Sequence, residues 1–254
     1  MKQNCKIRIT FLIFHFSFFI SSFAQNVKDS SLFFPMVKFS YAFQLPGGDL
    51  VKRFGANSAI SLNFSIKTKH NLFFGADGGF IFGNNIKENG ILDSLKTSTG
   101  FIIDKNGNPA TVRLFERGFT GSLHVGKIFR LWHSNKNSGL LVYAGPTYFQ
   151  HKIKIDDIGR QSPQLAGQYV KGYDRLTNGF GLHEFIGYIY FGNKRIINFF
   201  GGVDFVQAVT KSQRRYDYDL MKADTAQRMD LLNGIRIGWI LPLYKRTPQK
   251  FYYH

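Results

Sequence analysis

Cysteine is all but absent from this chain. The single Cys5 lies ahead of the first apolar run, so beyond that run there is no residue for a disulfide or a thiolate centre. Methionine (4) and tryptophan (2) are scarce as well. After residue 24 no apolar run approaches the roughly 20 residues that a membrane-crossing helix needs. Acid is also in short supply: 16 Asp and Glu stand against 33 Lys and Arg, for a net charge of +17. So basic a balance ordinarily suggests a nucleic-acid partner. The start of the chain argues against one, because it directs the protein out of the cell.

That start is a basic stretch (Lys2, Lys6, Arg8), then the apolar run 9–23, interrupted by His15 and serines, then Ala24-Gln25. With small residues at Ser22 and Ala24, this is the pattern of a secretory signal peptide spanning 1–24 and cut after Ala24. Cleavage leaves 230 of 254 residues and, with three basic residues gone, lowers the net charge from +17 to +14. Residues 25–36 form a lead-in, 37–244 the body, and 245–254 a short basic and aromatic tail.

Glycine (26) and aromatic residues (17%) are plentiful, and the body is organised by alternation with period two. Eight segments show it: 37–45, 57–67, 72–82, 116–129, 139–150, 180–191, 196–209 and 231–244. In the first, Val37, Phe39, Tyr41, Phe43 and Leu45 oppose Lys38, Ser40, Ala42 and Gln44. The fifth is apolar on both faces and the sixth sets the adjacent His183 and Glu184 on opposite faces, so the orientation of both stays open. Connections after even-numbered strands are short (68–71, 130–138, 192–195), and those after odd-numbered strands are long (46–56, 83–115, 151–179, 210–230). Short turns at one end and long loops at the other predict an all-β, antiparallel, up-and-down transmembrane barrel of eight strands.

The composition of the faces supports lipid outside rather than water. The polar face is mostly Gly, Ser, Asn, Thr and Ala, with isolated charges at Lys38, Asp77, Asp204 and Arg236, which suits a narrow, filled lumen. Beside the short turns lie Phe73, Phe74, Phe129, Trp132, Tyr188, Tyr190, Phe191, Phe199, Trp239 and Tyr244, an expected aromatic girdle. The same end carries Lys67, Lys69, Lys127, Arg130, Lys136, Lys194, Arg195, Lys245, Arg246 and Lys250 with no acid among them. This basic periplasmic rim is suited to anionic headgroups, at about 1 kcal/mol per side chain, or to an acidic partner protein.

In this arrangement the chain resembles the small eight-stranded outer-membrane barrels of the OmpA/OmpX type found in Bacteroidetes-type envelopes, and loosely the PorT-type barrel of type IX secretion. The resemblance is one of architecture over 37–244. Its one local motif is Arg236-Ile-Gly238-Trp-Ile-Leu241-Pro-Leu243, which is similar to the terminal signal read by the barrel-assembly machinery. The resemblance implies that machinery and outer-membrane lipid as partners.

Chemistry is sparse. Asp204 falls nearly opposite Arg236 on the last hairpin, so a buried structural pair is expected there. Ser122 and His124 share a face but lack a third member, and the neighbours His183 and Glu184 point oppositely, so no catalytic site is expected. Asp104-Lys-Asn106-Gly-Asn108-Pro109 starts like a calcium loop, but Pro109 and Phe115 occupy positions that need Gly and Glu, so no metal site or other cofactor is expected. Asn106-Gly107 instead predicts a type I′ hairpin between 101–103 and 111–114. The charges of Asp156-Asp157 and of 214–219 are read as solvated loop charge. A non-enzymatic structural or accessory subunit of an envelope assembly or secretion system is the leading functional expectation. A surface adhesion or defence barrel acting through its loops is the alternative, and a lipid-modifying enzyme is more distant.

Overall fold

The computed structural model describes residues 31–131, 135–159, 161–192 and 197–243. Eight strands, β1 (Phe34–Gly48), β2 (Asn57–Lys67), β3 (Leu72–Gly83), β4 (Val112–Phe129), β5 (Gly139–Asp157), β6 (Thr177–Phe191), β7 (Asn198–Ser212) and β8 (Gln227–Pro242), follow one another in order. Each pairs antiparallel with its neighbours, and β8 pairs with β1 to close the barrel. Full closure leaves no unpaired edge, the condition for strands to cross hydrocarbon.

The pairing can be followed round the wall from Lys38 through Asn63, Asp77, Ser122, Thr147, Gly181, Ala208 and Asp230 to Gly48. One circuit therefore advances ten residues along β1, the stagger that tilts the strands. Eight strands at such a stagger enclose a space just wide enough for side chains to fill.

Most strands outrun their expected limits at the loop end, and in β4 and β5 the excess forms a continuous ladder. β4 begins at Val112 and β5 continues to Asp157, because Val112 pairs with Asp157 and Arg113 with Asp156. The predicted ribbon of the second long loop is thus half wall: its second arm is the upper end of β4. The hairpin itself is present, with Ile103 bridged to Pro109. Its turn differs from type I′, which needs positive φ at both central residues. Only Gly107 has it, at +83°, and its N–H donates to Asp104 O at 3.2 Å. The Asp104 carboxylate accepts the N–H groups of Asn106 and Asn108, a local turn fastening.

Large apolar residues stand exposed on the outer wall, with Phe39, Leu62, Phe80, Leu123, Val203 and Ile237 each at least 41% accessible. β5 and β6 now have orientations: Leu141, Tyr143, Phe149, Phe185 and Ile189 point inward and are buried. The lumen is consequently layered. An apolar plug at the turn end contains Phe34, Met36, Phe73, Phe185, Phe200 and Ile240. A second plug beneath the loops contains Leu50, Phe54, Ile81, Phe149, Ile153 and Leu232. Polar side chains lie between them. A small-residue interior was expected from the clear strands, but rings from β3, β5, β6 and β7 do much of the filling.

Inward Gly238 shows how tightly. A Cβ there would come within 2.4 Å of the Phe200 ring and 2.5 Å of Phe39 O.

Candidate functional site

The lumen's middle layer is built on Arg236. Its Nη2 donates to Asp204 Oδ2 at 3.0 Å, so β8 and β7 are joined. Its Nη1 reaches across to Asp77 on β3, 3.2 Å from Oδ2. The sequence reading placed Asp204 with Arg236 but left Asp77 as a separate charge. Asp204 is paired in the ladder with Gly234, two positions from Arg236, and the long guanidinium side chain spans that offset. Nothing local in the sequence signals the second carboxylate, because β3 is apart from β8 in the chain and only barrel closure brings it near.

From Asp204 a hydrogen-bonded chain continues. His183 Nε2 lies 2.8 Å from Asp204 Oδ1, and His183 Nδ1 lies 3.1 Å from Ser122 Oγ. Ser122 Oγ is 2.8 Å from Thr147 Oγ1. Serine, histidine and aspartate in series have the composition of a hydrolytic triad, so its chemistry must be weighed. All three are buried, apolar plugs close the lumen on both sides, Ser122 also bonds Thr147, and Asp204 is shared with Arg236. A nucleophile needs an approach path and donors for an oxyanion, and the plugs bar the way to this serine. The chain ties β4, β5, β6, β7 and β8 together. His124, the residue that shares the face with Ser122, bonds Asn63 at 3.3 Å and stacks on Tyr143.

Lys38 is buried beneath the same layer, its ammonium 4.4 Å from the centre of the Phe73 ring and 4.9 Å from that of Phe200. Face-on aromatic contacts of this kind stabilise a desolvated cation.

At the turn end two expectations need correction. Lys67 does not belong to the exposed rim: it is fully buried, and its ammonium donates to Leu32 O at 3.2 Å. Being in phase with Asn63 and Ser65, it points into the lumen, where it seals the floor. Phe73 and Phe191, expected in the girdle, are likewise buried, because each alternates with an outward ring at Phe74 or Tyr190. Lys69, Lys127, Arg130 and Lys136 are exposed on the rim. On the outer wall Tyr190 stacks on Phe199 at 5.0 Å, Tyr188 is exposed, and Trp239 stacks on Phe39 at 6.4 Å. Trp132, Lys194, Arg195, Tyr244, Lys245, Arg246 and Lys250 lie outside the described residues. Of the terminal motif, Arg236 and Gly238 point inward, Leu241 sits in β8, and Leu243 N donates to Pro35 O at 2.9 Å.

The loop end carries a second constellation that the sequence reading missed. Arg175 donates through Nε to Glu88 at 2.9 Å and through Nη1 to Asp219 at 2.8 Å, and it lies 3.0 Å from Asp217. It therefore binds the third loop to the second and fourth. Arg53 in the first loop reaches Thr177 at 2.9 Å and Asp224 at 3.4 Å. Arg214 clasps Asp174. The charges of 214–219 are thus largely internal clamps rather than solvated loop charge. Arg175 holds φ at +51°, a conformation that costs a non-glycine residue about 1–2 kcal/mol. The pairs around it oppose that cost. A cavity of about 720 Å³ opens among Lys52, Arg53, Glu88, Asp217, Asp224 and Arg228. Beside it the fourth loop ends in Leu220 and Met221, 48% and 73% exposed.

A closed eight-stranded barrel with an apolar outer wall, a lumen filled by side chains and a clamped loop crown defines a membrane barrel. No family model matches the chain, and no curated protein matches it either. Among solved structures, the Neisserial surface protein A is similar at 11% identity and a TM-score of 0.42, over 82% of this chain and 96% of that one. Ail, the attachment invasion locus protein of Yersinia pestis, is similar at 10% identity and a TM-score of 0.37, over 81% and 97%. A major outer membrane protein from Thermus thermophilus gives 11% and 0.40, over 82% and 99%. The barrel assignment stands on the strand pairing of this chain itself.

Proposed function

We propose that the protein is a non-enzymatic outer-membrane barrel that serves as a structural or accessory component of an envelope assembly or secretion system. The sealed lumen carries the reading: with both ends plugged and the middle bonded across, whatever the protein does is done by its outer surfaces. In this reading it is exported by its signal peptide, folded by the barrel-assembly machinery and seated among outer-membrane lipids. It meets an envelope partner through the loop crown or the basic rim. The crown suits docking because Arg175 and Arg53 lock four loops together in advance, which lowers the ordering cost of binding.

Gentle detergent extraction from native membranes tests the proposal. An envelope protein should co-purify in a fixed ratio, and Arg175→Ala should weaken that association while the barrel still inserts. Quantitative extraction of the barrel alone would count against it. The exposed Leu220-Met221 tip favours a second reading, a surface adhesion or defence barrel using the same crown. In that case cells carrying Met221→Ser should adhere less, with no change in envelope co-purification.

A further inference from the structure

Among the described residues the outer wall is apolar in its middle, except in one place. Glu184 is the central residue of β6, with seven residues on either side of it. It points outward between Leu182 and Ile186 and is partly exposed, while His183 and Phe185 fill the lumen. Among the described residues its hydrogen-bond partner is the outward Gln207 amide on β7, 3.2 Å away. No cation lies within ion-pair distance of it among the described residues. Asn233 on β8 faces outward in the same row, since Phe205 pairs with both Glu184 and Asn233. A carboxylate and an amide therefore stand together on the wall, with Asn233 two strands away in the same pairing row, beyond the outward Phe205.

Other outward polar groups are accounted for differently. Tyr41 and Ser58 satisfy one another at 2.7 Å. Outward cations lie towards the loops (Arg117, Lys152, Lys211) or the turns (Lys127), where headgroups and water are close. Hydrocarbon offers Glu184 neither a donor nor a counter-charge, and an ionisable residue at that depth is costly unless something polar faces it. Beside it on β5 the outward residues are Val142, Ala144 and Pro146, which are short and allow close approach by another backbone.

We propose that the β5–β8 wall around Glu184 docks, inside the membrane, a segment of a different protein that carries a Lys or Arg at mid-depth, with Gln207 completing the polar contact. This deepens, and rests on, the accessory-subunit reading by naming a lateral partner surface distinct from the crown. Charge complementarity selects the occupant. A second copy of this chain offers no described outward cation at the same depth, and a lipid chain offers none at all.

Photo-crosslinking in native cells tests the proposal. p-Benzoylphenylalanine is placed at Leu182 or Ile186, with Leu62 on the opposite wall as control. Adducts of one discrete mass are expected from the first two positions and not from Leu62. Glu184→Leu should reduce them by roughly tenfold or more while the barrel keeps its heat-dependent gel shift. The crosslinked peptide should contain Lys or Arg, and changing that residue to Glu should restore the adduct of Glu184→Lys. An adduct at twice the chain's own mass, or equal labelling at all three positions, overturns the proposal. If the crown still co-purifies an envelope protein in either of those cases, the accessory role survives and only the lateral face is lost.

Discussion

Arg236 illustrates how one side chain can organise a lumen. Its guanidinium is buried with two carboxylates, and its desolvation is tolerated because Asp77 and Asp204 supply charge and acceptors. Removing one member of such a set strands the others: Arg236→Leu should destabilise the barrel by about 3–5 kcal/mol, read from urea unfolding in lipid vesicles. Exchanging Asp204 and Arg236 should recover little of this loss, because Asp77 would then face an aspartate. Adding Asp77→Asn and Asp204→Asn to Arg236→Leu should recover most of it. A full rescue by the two-residue exchange alone would show that Asp77 takes no part. In the crown, burial pushes the Asp224 carboxyl up, but hydrogen bonds from Arg228 and the Ala226 N–H hold it on balance below its ordinary value of 3.8. A depressed carboxylate adds stability above that value and loses it as pH falls through the folded pKa. Asp217 has the opposite sign: burial, only partly offset by Arg175, raises its carboxyl above 3.8, so protonation relieves it. Acidification below about pH 4 should therefore loosen the fourth loop to proteolysis through Asp224, and Asp224→Asn should flatten that dependence. A cleavage rate that does not change with pH in the unsubstituted protein would remove Asp224 from the account.

Among the elements, the β2–β3 turn and β6 make the sharpest demands. Asn71 holds φ at +61° and its N–H donates to Thr68 O, while Thr68 N–H donates to Leu72 O. Asn tolerates the left-handed conformation, and a β-branched residue there would cost about 1–2 kcal/mol. Asn71→Gly should thus match or exceed the original stability and Asn71→Val should fall below it, both by vesicle unfolding. On β6, purified barrel in zwitterionic vesicles offers Glu184 the Gln207 amide but no cation. Glu184→Leu should there be stabilising, by less than the ~2–4 kcal/mol that a lysine costs at mid-depth. An unchanged midpoint would mean that the carboxylate already escapes the hydrocarbon by leaning on Gln207.

For the whole molecule, closure and filling determine what can be observed. An unboiled sample should run differently from a boiled one, because the closed ladder survives mild detergent until heated. Planar bilayers should show no conductance steps, since plugs of Phe34, Phe73 and Phe200 at one end and Phe54, Phe149 and Ile153 at the other shut the lumen. Resolved steps would mean that a plug moves. The four loops act as one body through Arg53 and Arg175, so cutting either clamp should expose several loops together.

Alternation and loop lengths alone were enough to place all eight strands, the outer faces of β1–β4 and β7–β8, and the proximity of Asp204 to Arg236. These features depend on local pattern and on neighbours joined by a turn, and a period of two is visible in any strand with unlike faces. Where both faces are apolar, as in β5, or each carries one ionisable residue, as His183 and Glu184 do in β6, alternation cannot choose between them, and only the register against β4 and β7 turns Tyr143 and Phe185 inward. Lys67 shows the same limit at a strand end: its charge suggested an exposed rim, while its phase put it in the lumen. Contacts across the barrel left no trace in the sequence. Asp77 meets Arg236, Ser122 meets His183, and Glu88 meets Arg53 and Arg175 because a ten-residue stagger and ring closure bring distant strands and loops together. The sequence determined by itself that this chain builds a two-faced strand array with long loops at one end. Tertiary closure decided which charges are neutralised inside and which one, Glu184, faces outward at mid-wall, because those pairings depend on geometry around the ring rather than on spacing along the chain.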